Sequence, residues 1–285
     1  MAVATLGIVG SGIMGSGIAE VAAKSGVDVI LRSRQRASAD AMVASLERSL
    51  AKQVERGKLD ETAAKEIGAR VSATDDLHAL HDCDLVLESV VEDLAVKKEL
   101  FTRLDDIVKP EGILATNTST LPVVELAVAT ERPSQVVGIH FFNPAPMMSL
   151  VEIVRPMTAS DDTVDAAKAF ATACGKDVVE VKDRAGFIVN ALLFPYLNNA
   201  VRMLEAGTAS RDDIDTAMKG GCNFPMGPLA LLDLVGLDTS LSILDALYEE
   251  FKDPNYAAMP LLRRMVAAGQ LGRKSGGGFF DYSKR

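Results

Sequence analysis

Several marks of particular protein classes are missing from this sequence. Cysteine occurs three times in 285 residues, as Cys83, Cys174 and Cys222. An odd number so widely spaced makes neither a disulfide framework nor a Cys-x-x-Cys metal or redox pair. The expectation is three inert, partly buried thiols in a reducing compartment, and no bound metal. No apolar run approaches the ~20 residues of a bilayer-crossing helix. No basic stretch precedes the first apolar residues, and glycines interrupt that run, so a cytoplasmic location is expected rather than secretion. Positive charge is short as well: 30 Lys and Arg against 39 Asp and Glu give a formal net charge of −9. That balance argues against a nucleic-acid partner. An anionic small molecule remains allowed where local basic groups or helix N-termini receive it. Internal repeats and low-complexity segments are absent too.

What is present is ordinary globular material. Hydrophobic residues make up 48% and charged residues 24%, in a chain long enough for more than one domain. Thr5 to Gly10 reads as a buried strand, a helical pattern runs through Ile13, Ile18, Val21 and Ala22, and residues 27–31 read as a second strand. Together they form a βαβ unit. Residues 35–68 are charged and alanine-rich, predicting two helices with a break near Gly57. Further strands are predicted at 85–89, 113–116, 136–141 and 150–154, mostly with helical segments between them. The fold class is therefore α/β, a Rossmann-like mainly parallel sheet. From Phe187 to Tyr256 the periodicity is helical, so a second, all-helical C-terminal domain is expected. The division places a dinucleotide-binding domain at 1–184 and a helical domain at 185–285. The glycine-rich, basic tail 272–278 reads as a loop.

Gly10-Ser11-Gly12-Ile13-Met14-Gly15 is a GxGxxG turn. The pattern alone is weak, but here it follows a strand and opens a helix. Gly10 would permit the tight turn, Gly12 the approach of a pyrophosphate, and Gly15 close helix–strand packing. About 20 residues on, an NAD enzyme usually carries an acid that binds the ribose hydroxyls. This chain instead has Arg32-Ser33-Arg34-Gln35-Arg36. The missing carboxylate and the nearby guanidinium groups favour NADP(H) over NAD(H).

Polar residues gather where strands should end: Asn117-Thr118-Ser119, and His140 to Pro144. Glu152 stands in an otherwise apolar strand, where a charge normally needs a partner. Asn190 follows Gly186 into an apolar helix. Each alone has a plain structural reading: a satisfied histidine, a capping Ser or Asn, a Glu facing solvent.

These motifs, with Pro225-Met226-Gly227-Pro228 and Gly272-Arg273-Lys274-Ser275-Gly276, resemble the (S)-3-hydroxyacyl-CoA dehydrogenases over nearly the whole chain. The likeness is strongest to their short bacterial 3-hydroxybutyryl-CoA members. It implies His140 as general base or acid, with Glu152 on the other ring nitrogen. Ser119 and Asn190 would hold the substrate oxygen. It also implies cofactor contacts from Ile13, Met14, Glu92, Lys97, Asn117, Ser119, Asn143 and Lys274. By itself Lys97 reads equally as a solvated helix lysine. Lys52, Arg56 and Lys58 fall at helical spacings; the resemblance puts the first two, with Ser119, against acyl-CoA. A homodimer through the helical domain is implied, its contact supplied by apolar helices such as 229–237 and 241–247. His78 and His81 carry no assigned role.

Two other readings stay open. The same chemistry could act on an acyl-carrier-protein-bound hydroxyacyl group, leaving Lys52 and Arg56 without a nucleotide partner. A non-catalytic structural homologue is the other; intact Ser119, His140, Glu152 and Asn190 speak against it.

Overall fold

Short apolar runs rich in Val, Ile and Leu become strands buried on both faces, as a helix-covered parallel sheet requires. The computed structural model describes residues 3–283. The chain divides into two compact units between Asp183 and Arg184.

The first unit holds eight strands: β1 (Thr5–Val9), β2 (Asp28–Arg32), β3 (Val71–Thr74), β4 (Leu85–Glu88), β5 (Ile113–Thr116), β6 (Val136–Phe141), β7 (Leu150–Arg155) and β8 (Asp177–Lys182). Their order across the sheet is β3-β2-β1-β4-β5-β6-β7-β8. All neighbours run parallel except β6 and β7. The α-helices between them are α1 (Ile13–Lys24), α2 (Arg36–Glu55), α3 (Glu61–Ala69), α4 (Leu94–Ile107), α5 (Val123–Ala127) and α6 (Asp161–Ala173). Capping residues set several starts. The side chains of Asp60, Asp93 and Ser160 accept the backbone N–H three residues on, at the heads of α3, α4 and α6, satisfying donors that a helix leaves orphaned. One face of the sheet packs Leu6, Ile8, Val29, Leu31, Leu85 and Leu87 against apolar residues of α1 and α2 such as Ile18, Ala22, Met42 and Leu46.

The second unit contains α7 (Val189–Glu205), α8 (Arg211–Cys222), α9 (Pro228–Val235), α10 (Leu237–Phe251) and α11 (Pro260–Ala267). Two buried aspartates organise it. Asp215 accepts the N–H groups of Leu229 and Ala230 at the start of α9. Asp233 accepts those of Phe279 and Phe280 and the Tyr282 hydroxyl, fastening the tail. Burial pushes the Asp233 carboxyl above its usual range, against the pull of these donors.

Several expectations need correction. Two strands went unpredicted, β3 and β8, which are the two edges of the sheet. The helix bearing Lys52 ends at Glu55, so Arg56 is its cap and Lys58 lies beyond it. Cys83 is buried and Cys174 partly so, but Cys222 is exposed. Of the apolar helices expected to mediate dimer contact, Leu229, Leu232, Leu237, Leu244 and Leu247 belong to the core of their own unit, while Leu234 is exposed.

Candidate active site

The parallel register lines up the strand ends. Val9 pairs with Arg32 on one side and Glu88 on the other, Glu88 with Thr116, and Thr116 with Gly138. Gly10, Ser33, Asn117 and His140 therefore lie together at the carboxyl ends of the parallel strands, where open α/β sheets bind ligands.

There the glycine turn has little room for substitution. Gly10 has φ of +134°, and a Cβ there would fall 2.1 Å from the Ser89 carbonyl oxygen. A Cβ on Gly15 would fall 2.6 Å from the Gly10 carbonyl oxygen, so helix and turn touch backbone to backbone. Gly12 borders open space, and Ile13 is exposed at the head of the twelve-residue α1, whose N-cap offers no side-chain acceptor. These residues fit a dinucleotide pyrophosphate, which needs close backbone approach and free N–H groups. Met14 is partly buried behind them.

The basic loop is not three equivalent arginines. Arg36 pairs with Asp40 at 2.9 Å. Arg32 Nε donates to the Asp75 carbonyl at 3.3 Å; burial pushes its pKa down, and the charges of Arg103 and Arg34 push it further. Ser33 is buried, its N–H bound to the Thr74 carbonyl. Arg34 is exposed and, among the described residues, makes no ion pair.

The reactive pair follows from the antiparallel junction of β6 and β7 within the sheet. His140 stands directly across from Glu152, and opposed residues of an antiparallel pair share a face. His140 Nδ1 lies 2.7 Å from Glu152 Oε2, with Glu152 fully buried and His140 nearly so. Glu152 is thus not a solvent-facing strand residue. A carboxylate on Nδ1 keeps the proton there and turns Nε2 outward as the basic nitrogen. Ser119 Oγ lies 3.1 Å from that Nε2.

The segment bearing Ser119 is tied down on both sides. Glu92 accepts the Ser119 N–H at 2.9 Å and the Thr118 hydroxyl. Asn117 Oδ1 accepts the Phe141 N–H. Lys97, open to a solvated reading, is 1% exposed, and its Nζ lies 2.6 Å from Glu88 and 3.2 Å from Glu92. Asn143 is exposed just before a cis Pro144. Lys52 and Arg56 are exposed around the end of α2. In the second unit, Asn190 is buried in the first turn of α7, and Lys274 pairs with Asp238 at 2.5 Å.

Sequence reasoning overlooked Glu88 and a row of serines. Glu88 ends an apolar strand just as Glu152 interrupts one, so the same signal marked it. Ser16, Ser38, Ser45 and Ser49 line a groove of about 540 Å³ between α1 and α2, with Glu20 and Arg48.

A nucleotide-binding, mainly parallel sheet whose strand ends carry a carboxylate-held imidazole beside a hydroxyl defines a nicotinamide-dependent oxidoreductase of alcohols and ketones. The 3-hydroxyacyl-CoA dehydrogenase NAD binding domain family matches residues 5–184, and the C-terminal domain of the same dehydrogenases matches residues 186–282. The chain belongs to the 3-hydroxyacyl-CoA dehydrogenase family. A 3-hydroxybutyryl-CoA dehydrogenase of Mycobacterium tuberculosis is 48% identical over 283 residues, 99% of each chain. One of Clostridioides difficile is 47% identical over 279 residues, 98% of this chain and 99% of that one. The crystal structure of (S)-3-hydroxybutyryl-CoA dehydrogenase PaaH1 from Ralstonia eutropha superposes with a TM-score of 0.97 at 41% identity, covering 99% of this chain and 100% of that one.

Proposed function

We propose that this chain is an (S)-3-hydroxybutyryl-CoA dehydrogenase, interconverting the 3-hydroxy and 3-keto forms of a short acyl-CoA. The observation that carries the reading is the continuous chain Glu152–His140–Ser119, with Nε2 facing a hydroxyl. A bound nicotinamide ring supplies the hydride acceptor or donor. In oxidation, His140 Nε2 takes the hydroxyl proton, and Glu152 stabilises the imidazolium so formed. In reduction the same imidazolium returns the proton to the developing alkoxide. Ser119 and Asn190 orient the substrate oxygen by hydrogen bonding.

The preferred cofactor is NADP(H). Ser33 brings no carboxylate against a 2′-phosphate, and Arg34 is the loop guanidinium placed to grip one. Gly10, Gly12, Ile13, Met14 and Gly15 hold the pyrophosphate, while Glu92, Asn117, Asn143 and Lys274 serve the rest of the dinucleotide. The serine-lined groove between α1 and α2 suits the amides and hydroxyl of a pantetheine arm. Lys52 and Arg56 at the far end of α2 meet the CoA phosphates. The enzyme works in the cytoplasm as a homodimer through its helical unit, where Leu192, Met203 and Leu234 are exposed.

The test is direct. Purified protein should reduce acetoacetyl-CoA with NADPH, and less efficiently with NADH. Absence of turnover with both would overturn the reading, and a large NADH preference would overturn its cofactor part.

A further inference from the structure

Side chains alternate along β6. Val137, Ile139 and Phe141 enter the hydrophobic core on one face of the sheet, which puts His140 and the next residue in step, Phe142, on the other. Phe142 lies just past the end of the strand and is half-buried. It leans on the imidazole: the two ring centroids are 4.5 Å apart and the planes meet at 58°, at the close end of the range for aromatic contacts. The loop that follows holds Phe142 in place. Lys176 Nζ donates to the Ala145 and Met148 carbonyls at 2.7 and 2.8 Å, and the Pro144 carbonyl accepts the Met147 and Met148 N–H groups. Ala145, within this bracing, is buried.

The hydrogen bonds of His140 leave a task for such a neighbour. Glu152 holds Nδ1 at 2.7 Å, and Ser119 Oγ stands 3.1 Å from Nε2. During proton transfer Nε2 serves the substrate oxygen, and the hold on the ring passes to Nδ1. Hydrogen bonds weaken steeply only below about 120°, so one bond at Nδ1 still lets the ring tilt by roughly tens of degrees. Torsion adds little, because histidine χ2 is broad and two-fold. We propose that Phe142 is a positioning residue whose braced ring packs on His140 and keeps Nε2 aimed while its partner changes. This rests on the role given above to His140. Bulk against the imidazole is the requirement, not ring electronics, since Glu152 already supplies the charge that stabilises an imidazolium.

Wild type, Phe142→Ala and Phe142→Met decide the matter in three measurements. These are kcat and KM for acetoacetyl-CoA reduction, the dissociation constants of NADH and NADPH by fluorescence, and the ring-nitrogen resonances of His140 in protein free of dinucleotide. Phe142→Ala should lower kcat roughly ten- to a hundredfold, the scale of a small misplacement of a reacting group, while KM and dinucleotide binding stay within about twofold. The His140 resonances should move toward those of a mobile imidazole. The chain has three histidines, and exposed His78 is the internal reference. Methionine fills a similar volume without a ring, so Phe142→Met should bring back the resonances and restore kcat to within about threefold of wild type. The proposal needs kcat and the resonances to move together in Phe142→Ala; either one alone overturns it. Methionine as impaired as alanine overturns it too, because bulk would not be what counts. A loss confined to KM or dinucleotide affinity would make Phe142 a binding surface instead. Should Phe142→Ala fail to fold, Phe142→Val, which keeps a strand-favouring residue there, is read by the same pair of measurements. Wild-type protein without turnover would count against the function above, and the resonances would then decide by themselves whether Phe142 holds the ring.

Discussion

The side-chain oxygen of Asn117 accepts the backbone N–H of Phe141 at 2.8 Å, joining the end of β5 to the residue that follows His140. Phe141 is almost fully buried, so Asn117→Ala would leave its N–H without that acceptor. Such a loss costs about 1–3 kcal/mol. Denaturant unfolding should register this drop together with a lowered kcat, and Asn117→Asp, which keeps an acceptor oxygen, should recover most of the stability. A stable Asn117→Ala protein with full activity would mean the bond holds nothing in place.

For His140, the choice of substitution matters because the partner is buried. His140→Ala and His140→Gln should each lower kcat by about 10²–10⁴-fold, the usual contribution of a general base. They should differ in stability. Alanine removes one member of a buried pair, a change that costs on the order of 3–5 kcal/mol, whereas glutamine can still donate an N–H toward Glu152. Equal unfolding midpoints for the two variants would show that Glu152 does not depend on a donor at this position.

How much of this was open to sequence reasoning depends on how local the signal is. The β1–turn–α1 unit was legible because its periodicity and glycine spacing are contained within 20 residues. The edge strands β3 and β8 were not: Val71-Ser72-Ala73-Thr74 has one buried residue of four, and β8 has none of six, so neither shows the continuous apolar run of a central strand. The reversal between β6 and β7 escaped notice although it could have been inferred. Only residues 142–149 separate the two strands, too few for the dozen or so residues of a parallel crossover. That reversal is what sets Glu152 opposite His140. The burial of Lys97, named only through the family resemblance, was not legible, because a lysine on an amphipathic helix reads as solvated until the fold brings Glu88 against it.

The proposed preference for NADP(H) puts the weight of cofactor choice on Arg34. Arg36 is committed to Asp40, and Arg32 is bound to the Asp75 carbonyl. Arg34→Ala should therefore raise KM for NADPH by on the order of tenfold or more, as loss of a charge-assisted bidentate contact does, and leave KM for NADH nearly unchanged. Ser33→Asp should shift preference toward NADH, although the buried position adds a desolvation cost. If Arg34→Ala weakens both cofactors equally, the loop does not discriminate at the 2′ position.

Acid stability should carry the signature of Glu20. This carboxylate, buried along the groove between α1 and α2, receives Lys24 Nζ at 2.6 Å, Ser49 Oγ at 2.8 Å and Gln53 Nε2 at 2.8 Å. Burial alone would raise its pKa, but the three donors and the lysine charge outweigh it and hold the group below the usual glutamate value. A carboxylate depressed in the folded state binds protons more readily when unfolded. Its stabilisation is fully present above the unfolded pKa, about 4.3, and disappears as pH falls through the lower folded value. Glu20→Gln should thus be less stable than wild type at neutral pH, with the gap narrowing below about pH 4.3 as the native carboxylate takes up its proton. Urea unfolding across the acid range measures this. Stability curves that stay parallel into strong acid would mean that the donors around Glu20 do not favour its ionised form.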